Sequence, residues 1–116
     1  MLGKLNETEE KAVKEFRDIL LERFGENIKM IRLFGSKARG DYTTESDIDV
    51  LIYVKAGDFK LRSNISDITS KIFLKHEVLI SPIIVNEKDF SELIRLQMKF
   101  IRNVEKEGVD IWKARS

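Results

Sequence analysis

Cysteine is absent from the 116 residues of this chain, and proline, tryptophan and histidine occur once each. Without cysteine there are neither disulfides nor thiolate metal ligands, and a single histidine, His76, excludes a histidine-rich zinc site. No apolar run approaches the roughly 20 residues that span a bilayer. Because no apolar segment follows residues 1–4, we predict no secretory signal and no membrane partner, and we expect a cytoplasmic protein.

An excess of charge of one sign is also missing, because 21 Lys and Arg residues stand against 20 Asp and Glu residues, for a net charge of +1. Strong non-specific binding to nucleic acid needs a clustered excess of basic residues, so we do not expect it. The chain is long enough for one hydrophobic core and too short for two. Residues 1–116 are therefore predicted to form a single domain.

The most informative segment covers residues 33–54 and reads LFGSKARGDYTTESDIDVLIYV. Apolar, β-rich residues flank it on both sides, which predicts a strand, a tight Gly35-Ser36 turn, a polar loop and a second strand. Asp47 and Asp49 are two residues apart, so their side chains share one face of the second strand. Neighbouring carboxylates repel unless a cation lies between them, and a glycine-serine turn suits a phosphate. The segment predicts a metal-dependent phosphate-transfer site.

Gly-Ser, ten residues and Asp-x-Asp together resemble the signature of nucleotidyltransferases of the DNA polymerase beta superfamily. The A-R-G segment and the short length resemble its smallest branch, the minimal nucleotidyltransferases, and the resemblance covers most of the chain. It implies that Asp47 and Asp49 are catalytic and hold one or two Mg²⁺ ions. It also implies that Gly35 and Ser36 bind the triphosphate of ATP.

Two cations follow the predicted turn. Lys37 and Arg39 are candidate partners for phosphate, and the alternative interpretation is that both are solvated surface residues. The resemblance favours Arg39 as nucleotide-binding, because Arg39 stands in the A-R-G segment. The acidic and hydroxyl residues of the loop are interpreted as turn residues rather than catalysts: Asp41, Glu45 and Ser46.

The resemblance implies a further acidic residue on a later strand, beside the aspartate pair. The predicted third strand covers residues 77–85, with Glu77 as its one acid and Ser81 near its centre. Glu77 is the candidate third catalytic carboxylate, and the alternative is a solvated glutamate at the strand start. If neither Glu77 nor Ser81 takes the place of this acidic residue, we expect slow activity, or a nucleophile activated by its metal contact or by the partner protein.

The remaining elements predict a small sheet with helices around it. Asn6 and Glu9 predict a capping box for a first helix that ends at Gly25. Pro82 predicts an edge position or a bulge for the third strand. The other predicted elements are strands over residues 28–34 and 48–54, helices over 59–75 and 87–107, and a short strand or packed tail over 109–112. The order α-β-β-α-β-α predicts an α/β fold with a small mixed β-sheet flanked by helices.

The resemblance implies transfer of AMP from ATP to a hydroxyl, with release of pyrophosphate. So short a chain leaves no room for an acceptor domain, so the acceptor is expected on a partner. The resemblance implies a HEPN-domain toxin, modified on a tyrosine, with this chain as its antitoxin in a homo- or hetero-oligomer. The alternative is a non-catalytic module that masks the toxin by complex formation. A stand-alone enzyme acting on a small molecule or an RNA end is disfavoured by size and charge.

Overall fold

The computed structural model describes residues 3–40, 47–96 and 98–115. Four strands form one mixed sheet in the order β3-β2-β1-β4. The strands are β1 (Ile28–Phe34), β2 (Ile48–Val54), β3 (Ile80–Asn86) and β4 (Val109–Lys113). β1 is antiparallel to both β2 and β4, whereas β2 and β3 are parallel. The loop residues Asp41, Glu45 and Ser46 lie outside the described residues.

Five helices accompany the sheet within the described residues: α1 (Glu7–Phe24), α2 (Ser36–Arg39), α3 (Phe59–His76), α4 (Glu87–Arg95) and α5 (Lys99–Glu107). α1 and α3 pack against each other on one face of the sheet, and α4 and α5 pack on the opposite face. The predicted mixed sheet flanked by helices is therefore confirmed. Within the described residues, no helix is both long enough and apolar enough to cross a membrane.

The central strand β2 is buried on both faces. Ile48, Val50 and Ile52 pack into the core beneath α1 and α3, whereas Leu51 packs with the residues beneath α4 and α5. Because side chains alternate along a strand, Asp49 lies on the same face as Leu51. The apolar character of both faces explains why helices cover the sheet on both sides.

The capping box of α1 is confirmed. The Glu9 N–H donates to Asn6 Oδ1 at 2.8 Å, and the Asn6 N–H donates to Glu9 Oε1 at 3.0 Å. The helix ends before Gly25, as predicted. Pro82 lies on an edge strand, also as predicted, since β3 is the first strand of the sheet order. Residues 109–113 form a strand rather than a tail.

The single helix predicted over residues 87–107 is wrong, because the structure contains two helices there. α4 ends at Arg95, and α5 begins at Lys99, after Met98 with an extended ψ of 132°. The packing accounts for the break: α4 lies against β3 and β2, whereas α5 lies against β1. The two short helices thereby cover different strands of the sheet.

The predicted start of the third strand is also wrong. α3 continues to His76, and Glu77 closes it in the left-handed conformation, with φ 57° and ψ 32°. The Glu77 N–H donates to the Phe73 carbonyl at 2.8 Å, which satisfies a carbonyl of the last helical turn. The strand itself begins only at Ile80.

Candidate active site

The end of β1 lies beside the start of β2, and this pairing brings Gly35 to Asp49. Phe34 and Asp49 are partners in the antiparallel register. Gly35 follows with φ +76°, and a Cβ at this position would overlap Asp49 Oδ2 and lie 3.3 Å from Asp49 Cγ. A glycine is therefore required both by the backbone conformation and by the closeness of the carboxylate.

The predicted Gly-Ser turn is the start of the one-turn helix α2. The Gly35 carbonyl accepts hydrogen bonds from the N–H groups of Ala38 and Arg39, each at 3.1 Å. Gly40, with φ +92°, closes the turn by donating its N–H to the Ser36 carbonyl at 2.7 Å. Two glycines with positive φ thus hold Ser36 in a compact turn at the edge of the aspartate pair.

Lys37 is buried rather than solvated, so the surface interpretation of this residue is wrong. Its side chain is 1% exposed, and Nζ lies 2.5 Å from Glu9 Oε2. The other Glu9 oxygen accepts the Asn6 N–H of the capping box. The Lys4 N–H also donates to the Lys37 carbonyl at 3.0 Å. The start of α1 therefore holds the turn that follows β1.

Arg39 lies on the surface, within electrostatic range of Asp49. Its Nη1 is 3.1 Å from Glu107 Oε2 in α5. Burial raises the pKa of the Asp49 carboxyl above its usual value, the neighbouring Asp47 charge raises it further, and the Arg39 guanidinium partly offsets both effects. Two carboxylates and one guanidinium therefore share this end of the sheet.

The aspartate pair fits Mg²⁺. Asp47 is exposed and Asp49 half-buried, so hard oxygen donors are available beside the Gly35 turn. Among the described residues, no group of three or more Asp, Glu, His or Cys side chains gathers as a metal site. Mg²⁺ suits a site of two carboxylates, because it takes one or two such ligands and completes its shell with water and substrate phosphates.

Ser81 occupies the position beside Asp49 on β3. The parallel register pairs these two residues, so their side chains share one face of the sheet. Glu77 lies in the cap of α3 and not on the strand, so its predicted place on a strand face with Leu79 is wrong. It lines a cavity together with Asp47 instead. Its catalytic role stays a prediction.

His76 lies in a cluster of charged side chains between two helices. Its Nε2 lies 3.3 Å from Glu15 Oε2, and Lys75 Nζ lies 2.6 Å from the other oxygen of the same carboxylate. This cluster ties the end of α3 to the middle of α1. Sequence reasoning missed the Lys37–Glu9 pair and the Arg39–Glu107 pair, because both join residues that no local pattern connects.

The fold and this site define a nucleotidyltransferase. The nucleotidyltransferase domain family matches residues 13–111, which run from α1 into β4. The chain therefore belongs to this family.

Individual proteins support the same assignment. The chain is 45% identical over 100 residues to a Methanocaldococcus jannaschii protein named "putative protein adenylyltransferase", and the match covers 86% of this chain and 94% of that protein. A crystal structure of a "putative nucleotidyltransferase" from Sulfolobus solfataricus has a TM-score of 0.56 and 25% identity, over 89% of this chain and 78% of that one. A crystal structure of a toxin-antitoxin with AMP-PNP has a TM-score of 0.57, and the match covers 88% of this chain and 74% of that one. At 19% sequence identity, this structural similarity is evidence for a shared fold alone.

Proposed function

We propose that this chain is a Mg²⁺-dependent adenylyltransferase that transfers AMP from ATP to a hydroxyl of a partner protein. The observation that carries the proposal is the contact between the Gly35 turn and the Asp49 carboxylate at adjoining strand ends. A turn suited to phosphate and a pair of carboxylates suited to a divalent cation stand side by side. The name of the Methanocaldococcus relative supports a protein as acceptor.

In this proposal each site residue has a defined task. Gly35 lets the backbone of the turn pass close to the Asp49 carboxylate, and the Ser36 hydroxyl donates a hydrogen bond to a phosphate oxygen. The Arg39 guanidinium offsets phosphate charge. Asp47 and Asp49 hold Mg²⁺. When bound, the ion supplies positive charge that offsets the charge developing on the transferred phosphoryl group.

The transfer is an in-line displacement at the α-phosphorus of ATP. The acceptor hydroxyl oxygen forms the new P–O bond, the bond to the β-phosphate oxygen breaks, and pyrophosphate leaves. The hydroxyl proton passes to water or to a base. Ser81, and not an acid, is the register partner of Asp49, so the candidate bases are Glu77, which stays the predicted third carboxylate, and a residue of the partner protein.

The partner we propose is a toxin of the HEPN type, modified on a tyrosine hydroxyl, with this chain as its antitoxin. Two observations support this choice. The chain resembles the minimal nucleotidyltransferases, and it shares its fold with a chain of a toxin-antitoxin complex crystallised with AMP-PNP.

The test is to incubate the purified chain with a purified candidate HEPN-domain protein, ATP and Mg²⁺, and to measure the mass of that protein. We expect the mass of at least one AMP group to be added, and tandem mass spectrometry to locate it on tyrosine. Asp47→Asn with Asp49→Asn is expected to abolish the addition. Asp67→Asn, at an exposed position of α3, is the matched control. An unchanged mass, with a stable complex, rejects the enzymatic proposal.

The second candidate function is masking of the toxin by complex formation alone. The observation that favours it is that only two acidic side chains gather at the site among the described residues. The same double variant separates the two functions. Loss of neutralisation with the complex intact supports catalysis, whereas full neutralisation by the double variant supports masking.

A further inference from the structure

The side chain of Arg39 contacts a residue that lies 68 positions further along the chain. Arg39 is the last residue of α2, and its N–H donates to the Gly35 carbonyl at 3.1 Å, so its backbone belongs to the Gly35 turn. Its Nη1 donates to Glu107 Oε2 at 3.1 Å. Glu107 is the last residue of α5. The ion pair therefore joins the nucleotide side of the candidate site to the end of α5.

The end of α5 is itself fixed to the sheet by Arg32 of β1. Arg32 Nη1 donates to the Val104 carbonyl at 3.3 Å, and Arg32 Nε lies 2.9 Å from Asp110 Oδ1 in β4. The Gly108 N–H donates to the same Val104 carbonyl at 3.0 Å. One arginine of the sheet thus holds the chain both before and after Glu107.

Close packing restricts α5 further. A Cβ on Gly108 would lie 2.6 Å from Arg32 Cδ, so the connection from α5 to β4 lies directly on the Arg32 side chain. At the start of the same helix, the rings of Phe100 and Phe34 meet edge-on with their centroids 5.4 Å apart. α5 is therefore held at both ends, and a fixed backbone presents the Glu107 carboxylate to Arg39.

The stability of α5 does not explain an acidic residue at position 107. The C-terminal end of a helix carries a partial negative charge, so a carboxylate in the last turn is unfavourable there. The ion pair also contributes little to folding, because the side chains of Arg39 and Glu107 are 39% and 32% exposed. The contact with Arg39 therefore points to a role in the site rather than in the helix.

A carboxylate can prepare an arginine for phosphate. The guanidinium is a planar fork of five N–H donors, and a carboxylate that accepts from one donor sets the direction of the whole plane. An arginine that is ordered in advance loses less conformational freedom when its ligand binds. Burial and Asp47 raise the pKa of the Asp49 carboxyl, and the Arg39 guanidinium acts against both. The guanidinium that Glu107 holds is thus within electrostatic range of the candidate metal site.

We infer that Glu107 is a positioning residue, which holds the Arg39 guanidinium in place for the phosphates of ATP. The inference rests on the proposed function, in which Arg39 contacts phosphate, and it adds a residue of α5 to the site. Loss of the Glu107 carboxylate has two effects of opposite sign on ATP binding. Loss of positioning weakens binding, whereas loss of a negative charge near a triphosphate strengthens it. Salt at about 0.15 M screens exposed charges beyond about 8 Å, so we expect the positioning effect to dominate.

The test is titration calorimetry of ATP with Mg²⁺ at about 0.15 M salt. Glu107→Gln should weaken ATP binding about two- to tenfold and leave the melting temperature nearly unchanged. Glu107→Asp keeps the carboxylate and should restore part of the affinity. Glu105→Gln is the matched control, because it removes the same charge from an exposed position of the same helix. It should leave ATP affinity unchanged.

A double-mutant cycle shows whether Glu107 acts through Arg39. Arg39→Ala should weaken ATP binding, and Glu107→Gln should then cause no further loss in the Arg39→Ala background. Equal or tighter binding by Glu107→Gln, or a loss of the same size without Arg39, overturns the inference alone. A wild-type chain that binds no ATP overturns the proposed function itself, and with it this role of Glu107.

Discussion

At residue 35, the backbone conformation and the carboxylate of Asp49 leave space for a hydrogen atom and for nothing larger. Gly35→Ala must therefore strain φ or displace the Asp49 side chain. We expect a loss of about 1–3 kcal/mol in the free energy of unfolding, together with weaker binding of Mg²⁺ and ATP. Urea denaturation and titration calorimetry measure the two effects.

Gly57 provides the control for this substitution. A Cβ at Gly57 would meet Val54 Cγ2 at 3.4 Å, an ordinary van der Waals distance, and Gly57 has no positive φ. Gly57→Ala should change stability by less than about 1 kcal/mol and leave ligand binding intact. Equal stabilities for the two alanine variants would show that position 35 tolerates a side chain.

The Asp49 carboxylate should destabilise the metal-free fold at neutral pH. Burial and the charge of Asp47 raise its pKa in the folded state, so the folded state binds more protons here than the unfolded state does. The protonated Asp49 carboxyl makes its full contribution to stability below its pKa in the unfolded state, about 3.9. This contribution is lost as pH rises through the pKa of the same carboxyl in the folded state. With EDTA at pH 7, Asp49→Asn should raise the melting temperature by a few degrees while abolishing Mg²⁺ binding.

The pH series gives this prediction its sharpest test. As pH falls towards about 4, the wild-type carboxylate becomes protonated, so the difference in melting temperature between the variant and wild type should shrink. Asp67→Asn is the exposed control and should show no such trend. A variant less stable than wild type at pH 7 without metal would contradict the argument, because ionised Asp49 would then stabilise the fold.

At the scale of elements, the Lys37–Glu9 pair joins α1 to α2 and so sets the position of the Gly35 turn. Both side chains are buried, and loss of one partner leaves an uncompensated charge away from water. Lys37→Ala should cost about 3–5 kcal/mol in the free energy of unfolding. Lys37→Met combined with Glu9→Gln removes both charges and should recover most of that loss.

An exposed ion pair supplies the comparison. Lys75 and Glu15 join α3 to α1 at 2.6 Å, but the lysine side chain is largely in solvent. Lys75→Ala should therefore cost about 1 kcal/mol or less. If the Lys37→Met and Glu9→Gln double variant is stable but shows a raised KM for ATP, the pair positions the turn. An unchanged KM would restrict the pair to stability.

The elements that sequence predicted well are those with local signals. The capping residues Asn6 and Glu9 determine the start of α1, and the β-rich runs before and after the G-S…D-x-D segment determine β1 and β2. The pairing of these two strands by a short connection also brings Gly35 to Asp49. The core of the candidate site therefore follows from local sequence.

The features that sequence missed depend on contacts between distant residues. The apolar spacing of residues 87–107 is continuous, and only the packing of α4 on β3 and α5 on β1 divides it. Glu77 fits a strand by composition but adopts a left-handed cap that ends α3. The Lys37–Glu9 pair spans 28 residues. Periodicity and capping rules hold no information on such contacts.

At the scale of the whole molecule, the two hydrophobic cores share one sheet. The core beneath α1 and α3 and the core beneath α4 and α5 meet at β1 and β2, which are also the strands that carry the aspartate pair and the Gly35 turn. β4 covers the outer edge of β1. The geometry of the candidate active site therefore depends on an edge strand whose residues have no part in it.

Truncation after Gly108 tests this dependence. It removes β4 with the buried Ile111, and it removes Asp110, whose Oδ1 lies 2.9 Å from Arg32 Nε. The loss of Ile111 alone should cost about 2–5 kcal/mol, a large part of the roughly 5–15 kcal/mol that stabilises a domain. The exposed edge of β1 also favours pairing between chains. We therefore expect a chain that melts at a much lower temperature and aggregates, measured by circular dichroism and size-exclusion chromatography.

Truncation after Lys113 is the matched control, because it leaves β4 whole and, among the described residues, removes the hydrogen bond from the Ala114 N–H to the Lys29 carbonyl. This shorter deletion should lower the melting temperature by a few degrees at most and preserve Mg²⁺ binding. Because β1 pairs with β2 on one side and β4 on the other, loss of β4 should loosen the register of Phe34 against Asp49. If the chain truncated after Gly108 kept its melting temperature and its Mg²⁺ affinity, β1 and β2 would hold the site without their neighbour.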